Sequence, residues 1–415
     1  MILSFSYKNQ ILHAESVAIT DLMATYGSPL YVYSQTDIEN NWREFDQAFG
    51  GHPHLVCYAV KANSNLAVLN TLAKIGAGFD IVSEGELERV LAAGGQANRC
   101  VFSGVAKTVR EIKRALEVGV RCFNVESASE LDRIESVAQS LNTQAPISIR
   151  VNPNVDAKTH PYISTGLKEN KFGVDIDDAI SLYQQANNSE YLNVQGLDCH
   201  IGSQLTEVSP FLDALDKVLE LVDQLNQQDI TITHLDLGGG VGIQYDDEQT
   251  IDIKSYIEAM IAKVGNIEII LEPGRAIVGN SGVFITKVEF LKQNSEHSFA
   301  IIDGAMNDLL RPSFYNAYHQ VLPVDENANG IQASWDLVGP ICETGDFLAK
   351  GRELSLSQGD YLALMSAGAY GFTMSSNYNS RPRVAEVMVS GNQHNLVRER
   401  ETIQDLFNKE YIINE

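Results

Sequence analysis

Between residues 54 and 275 the chain repeats one pattern, a short β-rich run followed by a longer stretch with apolar residues at spacings of three and four. The runs are HLVCYAVKA (54–62), GFDIVS (78–83), CVFSG (100–104), VRCFNVES (120–127), ISIRVNP (147–153), VQGLDCHIGS (194–203), THLDLGGG (233–240) and IEIILEPGR (267–275). Between them lie helical stretches such as NLAVLNTLAKIG, EGELERVLAAGG and TVREIKRALEVG, several ending on glycine, and Ser127 with Glu130 has the spacing of a capping box. Strands that alternate with helices connect by right-handed crossovers, and eight such units close into a barrel. The predicted fold is therefore α/β, with a parallel (β/α)8 TIM-type barrel. An open doubly wound sheet is the alternative. Its nucleotide-binding form places GxGxxG after the first strand, where this chain has Lys61-Ala62-Asn63.

After residue 276 the pattern changes to strands joined by turns, as in GVFITKVEFLKQ, SFAIIDG and RPRVAEVMVSG. The first residues, ILSFSYKNQILHA and SPLYVYS, share that character. The chain thus reads as a barrel over 30–277 and a mostly β domain, sandwich-like or barrel-like, built from 1–29 and 278–415. A net charge of -24 repels phosphate backbones and anionic lipid surfaces, so neither nucleic acid nor membrane is an expected partner. The start, MILSFSYKNQ, lacks a charged segment followed by an apolar one, and the five cysteines are widely spaced without a CxxC pair. A cytoplasmic protein without a metal site is expected. The polar segment 153–172, containing LKENKFG, is expected to be mobile.

A barrel of this type does its chemistry at the C-terminal ends of its strands. Polar residues fall there: Lys61 after the first run, Asp80 and Ser83 in the second, Arg150 and Asn152 in the fifth, His200 and Ser203 in the sixth, Gly238 to Gly240 in the seventh, Glu272 to Arg275 in the eighth. The triple glycine and the Gly274-Arg275 turn follow strands seven and eight, where barrels often hold phosphate. The plainer reading of a triple glycine is a tight turn. A lysine near a phosphate site suggests pyridoxal 5'-phosphate, whose aldehyde forms a Schiff base with a lysine amine. Lys61 alone is equally a lysine that snorkels from a strand end. Glu272 suits the pyridine nitrogen, or simply neutralises Arg275. His200 suits the ring face, or is a core histidine.

The ordered motifs YAVKAN, HIGSQ, LDLGGG, EPGR, DGAMNDLLRPSFY, GPICETGD and GAYGF resemble those of the diaminopimelate decarboxylases, pyridoxal-phosphate enzymes of the alanine-racemase-like fold group, and the resemblance runs from about residue 25 to 400. The resemblance implies that Lys61 is the Schiff-base lysine, that His200 stacks on the ring and that Glu272 pairs with its nitrogen. It assigns Ser203, Gly239, Gly274, Arg275 and Tyr370 to the phosphate. On the substrate side it implies that Arg275, Arg311 and Tyr315 receive the carboxylate remote from the reaction, that Glu343 holds the distal amino group, and that Tyr370 lies near the substrate. It also implies a homodimer in which Cys342, the proton donor, and Glu343 complete the partner's site. An arginine fork with a tyrosine hydroxyl suits a carboxylate, and a glutamate suits an ammonium.

The implied reaction is decarboxylation of meso-diaminopimelate to L-lysine, the last step of lysine synthesis. The alternatives are decarboxylases of ornithine, arginine, lysine or a carrier-linked glutamyl substrate, a racemase, and a regulatory protein that holds the cofactor without turnover. A basic amino acid has no distal carboxylate for Arg311 and Tyr315. Racemases of this fold group set an arginine, not a glutamate, against the ring nitrogen, and the regulatory proteins are single barrels.

Overall fold

A computed structural model describes residues 4–155 and 171–413, so part of the 153–172 segment lies outside the described residues. Eight parallel strands form a closed ring: His54–Ala59, Gly78–Ile81, Cys100–Phe102, Cys122–Val125, Ala145–Asn152, Leu192–Asp198, His234–Asp236 and Glu268–Leu271, with the last pairing back to the first. A two-residue strand, Val174–Asp175, pairs beside the fifth. The barrel read from the alternation of strands and helices is thus the observed fold.

The strands are shorter than the apolar runs. The seventh stops at Asp236, because the glycines that follow take backbone conformations a ladder cannot use: Gly238 has φ +66° and Gly240 φ +91°. Helix ends are set locally. Thr108 and Glu111 form a full capping box at the start of Val109–Val118, and Gly119 closes that helix in the left-handed region. At Ser127 only half of the expected box forms, since the Glu130 carboxylate accepts instead from Lys107 Nζ and from the Glu126 amide.

Side-chain alternation explains why the barrel has an apolar floor and a polar top. Leu55, Cys57, Val101, Cys122 and Ile270 pack together as one buried cluster. Two residues further along the same strands, hence on the same face, stand Ala59, Ser103, Asn124 and Glu272. Asp80 pairs in register with Ala59, and Asp198 with Arg150 and Asp236.

The chain divides into two units, 39–243 with 248–277, and 1–38 with 244–247 and 278–415. The N-terminal segment of the β-rich unit runs to residue 38 in this division. Leu30–Ser34 runs antiparallel to Gly282–Gln293 and parallel to Ala385–Ser390, which makes it an interior strand of the β-rich unit. That unit also holds a three-stranded antiparallel sheet, Phe5–Lys8, Ile11–Ala14 and Val17–Ala18. Leu12, Ile19, Leu22, Leu30, Val283 and Val387 belong to its core.

Candidate active site

The first strand is buried along almost its whole length and passes directly into a tight turn, Val60–Ala62. Val60 and Ala62 point into the core, while the Lys61 side chain retains 39% exposure and sets Nζ 2.7 Å from Asp80 Oδ2. Asp80 is fully buried, so a carboxylate with no access to water holds an ammonium that has some. An apolar strand can end in a charge because its neighbour supplies the opposite one at the same level of the barrel.

Glu272, 6% exposed, directly follows the eighth strand. Ser103 Oγ donates to its Oε1 at 3.4 Å, and Asn124 Nδ2 donates to Ser103 Oγ at 3.2 Å and to Asp236 Oδ2 at 3.1 Å. Ser148 Oγ donates to Asn124 Oδ1 at 2.6 Å, and the Gly238 amide to Asp236 Oδ1 at 3.0 Å. The Asp236 and Glu272 carboxyls interact electrostatically. Burial first, then the charges of Asp236, Asp80 and Asp198, push the Glu272 carboxyl well above the usual range. Burial raises Asp236 to about 6. Both shifts favour the neutral acid over the carboxylate, and the push is strongest at Glu272. Burial and Asp236 likewise push Asp198 up, against the pull of Arg150, whose Nη1 bonds Glu126 Oε1 at 2.9 Å.

His200 follows the sixth strand. The Gly239 amide donates to its Nδ1 at 3.2 Å, which places the ring proton on Nε2. Burial, then Arg150 and Lys61, hold its pKa well below that of an ordinary histidine, so the imidazole is neutral. The glycines are required by contact as well as by φ. A Cβ at Gly238 would lie 2.3 Å from His200 Nδ1, and one at Gly239 2.3 Å from the Glu272 carbonyl oxygen. At Gly274 a Cβ would meet Ala59 and Ala62 at 3.0 Å, on either side of Val60-Lys61. Arg275, 8% exposed, donates from Nη2 to Ser203 Oγ at 3.1 Å. The barrel unit thus gathers a lysine amine, a buried carboxyl, a neutral imidazole, and a glycine turn with an arginine and a hydroxyl. These are the groups that an aldehyde, a pyridine nitrogen, a flat ring and a phosphate require, so the residues fit pyridoxal phosphate.

The remaining candidates belong to the β-rich unit. Arg311, 6% exposed, opens the short helix Arg311–Tyr315, and the Tyr315 ring meets Phe314 edge-on. Tyr370 is half-buried with φ +57°, a left-handed conformation unusual for tyrosine. Cys342 and Glu343 are exposed. Their loop is held from within the unit: Asn379 Oδ1 accepts from the Cys342 amide at 2.9 Å, the Tyr378 hydroxyl donates to Glu343 Oε1, and Asp346 accepts from the amides of Met306 and Ile341 at 2.7 Å. Ser313, in the Arg311 helix, donates to the Gly345 carbonyl at 2.8 Å and so ties that helix to the loop.

The sequence motifs miss several groups that the structure places beside the candidates. Ser103, Asn124, Glu126, Asp198 and Asp236 sit within apolar runs, and their signal was a polar residue on the inward parity of a barrel strand. His319, Tyr245, Tyr378 and Asn379 lie outside any strand end.

Residues 35–279 match the family described as pyridoxal-dependent decarboxylase, pyridoxal binding domain. The chain is 55% identical over 406 residues to the diaminopimelate decarboxylase of Haemophilus influenzae, covering 97% of this chain and 98% of that protein. It is 56% identical over 407 residues to that of Vibrio cholerae, covering 97% of each. Among solved structures, it resembles the diaminopimelate decarboxylase of Helicobacter pylori complexed with L-lysine, with a TM-score of 0.91 and 42% identity over 94% of this chain and 98% of that one.

Proposed function

From the premise that the chain belongs to the diaminopimelate decarboxylase family of pyridoxal-dependent decarboxylases, we propose that it converts meso-diaminopimelate to L-lysine and carbon dioxide, the last step of lysine synthesis. The carbon–carbon bond to one carboxylate breaks, carbon dioxide leaves, and a proton takes its place on the same carbon. Bound pyridoxal phosphate supplies the sink for the electron pair left by that cleavage. The observation that carries the reading is the convergence of Lys61, the buried Glu272 and the Gly239–Arg275 anion cradle at one end of the barrel.

In this reading Lys61 takes the cofactor's aldehyde, His200 covers one ring face, and Glu272 faces the ring nitrogen. Ser203, Gly239, Gly274, Arg275 and Tyr370 hold the phosphate. Glu272, whose burial favours a bound proton, would give that proton to the ring nitrogen and accept its hydrogen bond as the carboxylate left behind, the state in which the ring best accepts negative charge. A neutral His200 stacks without adding a second cation beside Lys61. At the far end of the substrate Arg275, Arg311 and Tyr315 receive the carboxylate and Glu343 the ammonium, with Tyr370 nearby. Cys342 delivers the proton to the reacting carbon.

Cys342 and Glu343 act in this reading across a homodimer interface, each chain completing its partner's site. An exposed loop with two functional side chains supports that, since burial against a second copy would give both a defined environment. The expected compartment is the cytoplasm, which suits five cysteines that are all unbridged. Among the described residues no helix is long and apolar enough to cross a membrane.

The test is to supply the purified protein with pyridoxal phosphate and meso-diaminopimelate, ornithine, arginine or lysine in turn, and to measure carbon dioxide and the amine product. Lysine formed from meso-diaminopimelate alone supports the proposal. Turnover of ornithine, arginine or lysine in its place overturns it.

A further inference from the structure

Arg311 is one corner of a buried triangle. Its Nη1 lies 2.8 Å from His319 Nε2, its guanidinium sits 4.5 Å from the centre of the Tyr245 ring, and Tyr245 meets His319 edge-on, with centroids 5.6 Å apart at 81°. His319 is fully buried and Tyr245 is 8% exposed. The histidine is itself fixed: Nδ1 is 2.8 Å from the Met365 carbonyl, and its own carbonyl accepts from Arg352 Nη2 at 3.1 Å. A carbonyl oxygen only accepts, so Nδ1 carries the ring proton and Nε2 offers a lone pair to the Arg311 N–H. Tyr245 reaches this cluster in an unusual way. It lies in the four-residue segment 244–247, embedded in the barrel's stretch of sequence yet grouped with the β-rich unit.

Two constraints on one guanidinium determine its orientation. The bond to His319 commits an edge of the planar fork, and the stack on Tyr245 sets its plane. Bidentate capture of a carboxylate requires both to be right. We propose that His319 and Tyr245 are positioning residues that aim Arg311, and so set the preference for substrates with a carboxylate at the remote end. This rests on the reading of Arg311 as the receiver of that carboxylate.

The experiment uses holoenzyme with His319→Leu, His319→Gln, Tyr245→Leu and Arg311→Leu. It measures kcat and KM for meso-diaminopimelate, and inhibition by two probes: L-lysine, which has the remote carboxylate, and cadaverine, which lacks it. Losing one bond to a charged group is expected to raise KM and the L-lysine inhibition constant roughly tenfold in the two Leu variants at 319 and 245. Cadaverine inhibition stays at the parent value, and kcat falls far less than KM rises. The His319→Gln variant, which keeps an acceptor near the Nε2 position, restores most of the L-lysine affinity. Should His319→Leu fail to fold, Tyr245→Leu and His319→Gln carry the same comparison. Equal weakening of L-lysine and cadaverine, or no weakening of either, overturns the proposal provided that Arg311→Leu weakens L-lysine selectively. If Arg311→Leu itself fails to discriminate the probes, the reading of Arg311 is what falls.

Discussion

In the barrel unit, buried charges are met by opposite charges on neighbouring elements: Asp80 with Lys61, Arg150 with Glu126, Lys107 with Glu130. In the β-rich unit, the Glu343 carboxylate stands in solvent beside the Tyr378 hydroxyl, and the Cys342 thiol is exposed. The first arrangement carries a desolvation cost that only well-made pairs offset, so its members are mutually dependent. The second costs little to display and is weakly coupled to the fold. Substitutions in the two places are therefore expected to fail differently, in fold and chemistry together at the barrel and in chemistry alone at the loop.

The largest expected effect is at Lys61. Lys61→Ala removes the amine proposed to take the cofactor's aldehyde and leaves Asp80 buried without its cation. Turnover is expected to fall at least about a thousandfold, with loss of the visible absorption of bound cofactor and a lowered melting temperature. Retained absorption would break the assignment. Cys342→Ser is expected to lower kcat about 100-fold or more, as loss of a positioned proton donor does, while leaving the unfolding free energy within about 0.5 kcal/mol of the parent. A large loss of stability there would erase the contrast between the two units.

Gly239→Ala sharpens the comparison on the barrel side. Its Cβ, 2.3 Å from the Glu272 carbonyl, forces the backbone to shift, for which about 1–3 kcal/mol is expected, with weaker pyridoxal phosphate binding. Unfolding and cofactor titration measure both.

The smallest effect is a pH slope. Burial, then Arg121, push His234 down to about 3. Between that value and about 6.5 the unfolded chain binds a proton that the folded one refuses, so this contribution to stability is absent above that window and becomes a growing penalty as pH falls through it. Asp236, raised to about 6, acts from the other side: above its unfolded pKa of about 3.9 the folded state keeps a proton that the unfolded state has released. The difference between parent and His234→Leu isolates the histidine, and is expected to reach about 1.4 kcal/mol per pH unit at most. A difference that does not change with pH contradicts the buried neutral imidazole.

The barrel was legible because strand and helix periodicities alternate eight times, and Lys61, His200 and Glu272 because each follows an apolar run at its C-terminal end. Asp236 and Asn124 were not, since a polar residue inside LDL or FNV shows its role only once the parity of all the strands is known. The N-terminal boundary was hard to place for a similar reason. LYVYS reads as a strand in either unit, and only its pairing with Gly282–Gln293 and Ala385–Ser390 decides. The Arg311 triangle was least accessible, being assembled from residues 245, 311 and 319 through contacts that no local pattern announces.

The contrast between a buried, self-paired barrel end and an exposed Cys342–Glu343 loop is most directly tested by mixing inactive chains. Lys61→Ala and Cys342→Ala homodimers are combined, exchanged and assayed for lysine production from meso-diaminopimelate. If each site draws its cysteine from the partner, half of the random dimers are mixed and one of their two sites is intact, so activity recovers to about one quarter of the parent's. Mixtures no more active than the separate variants, with subunit exchange verified, contradict a site completed across the interface.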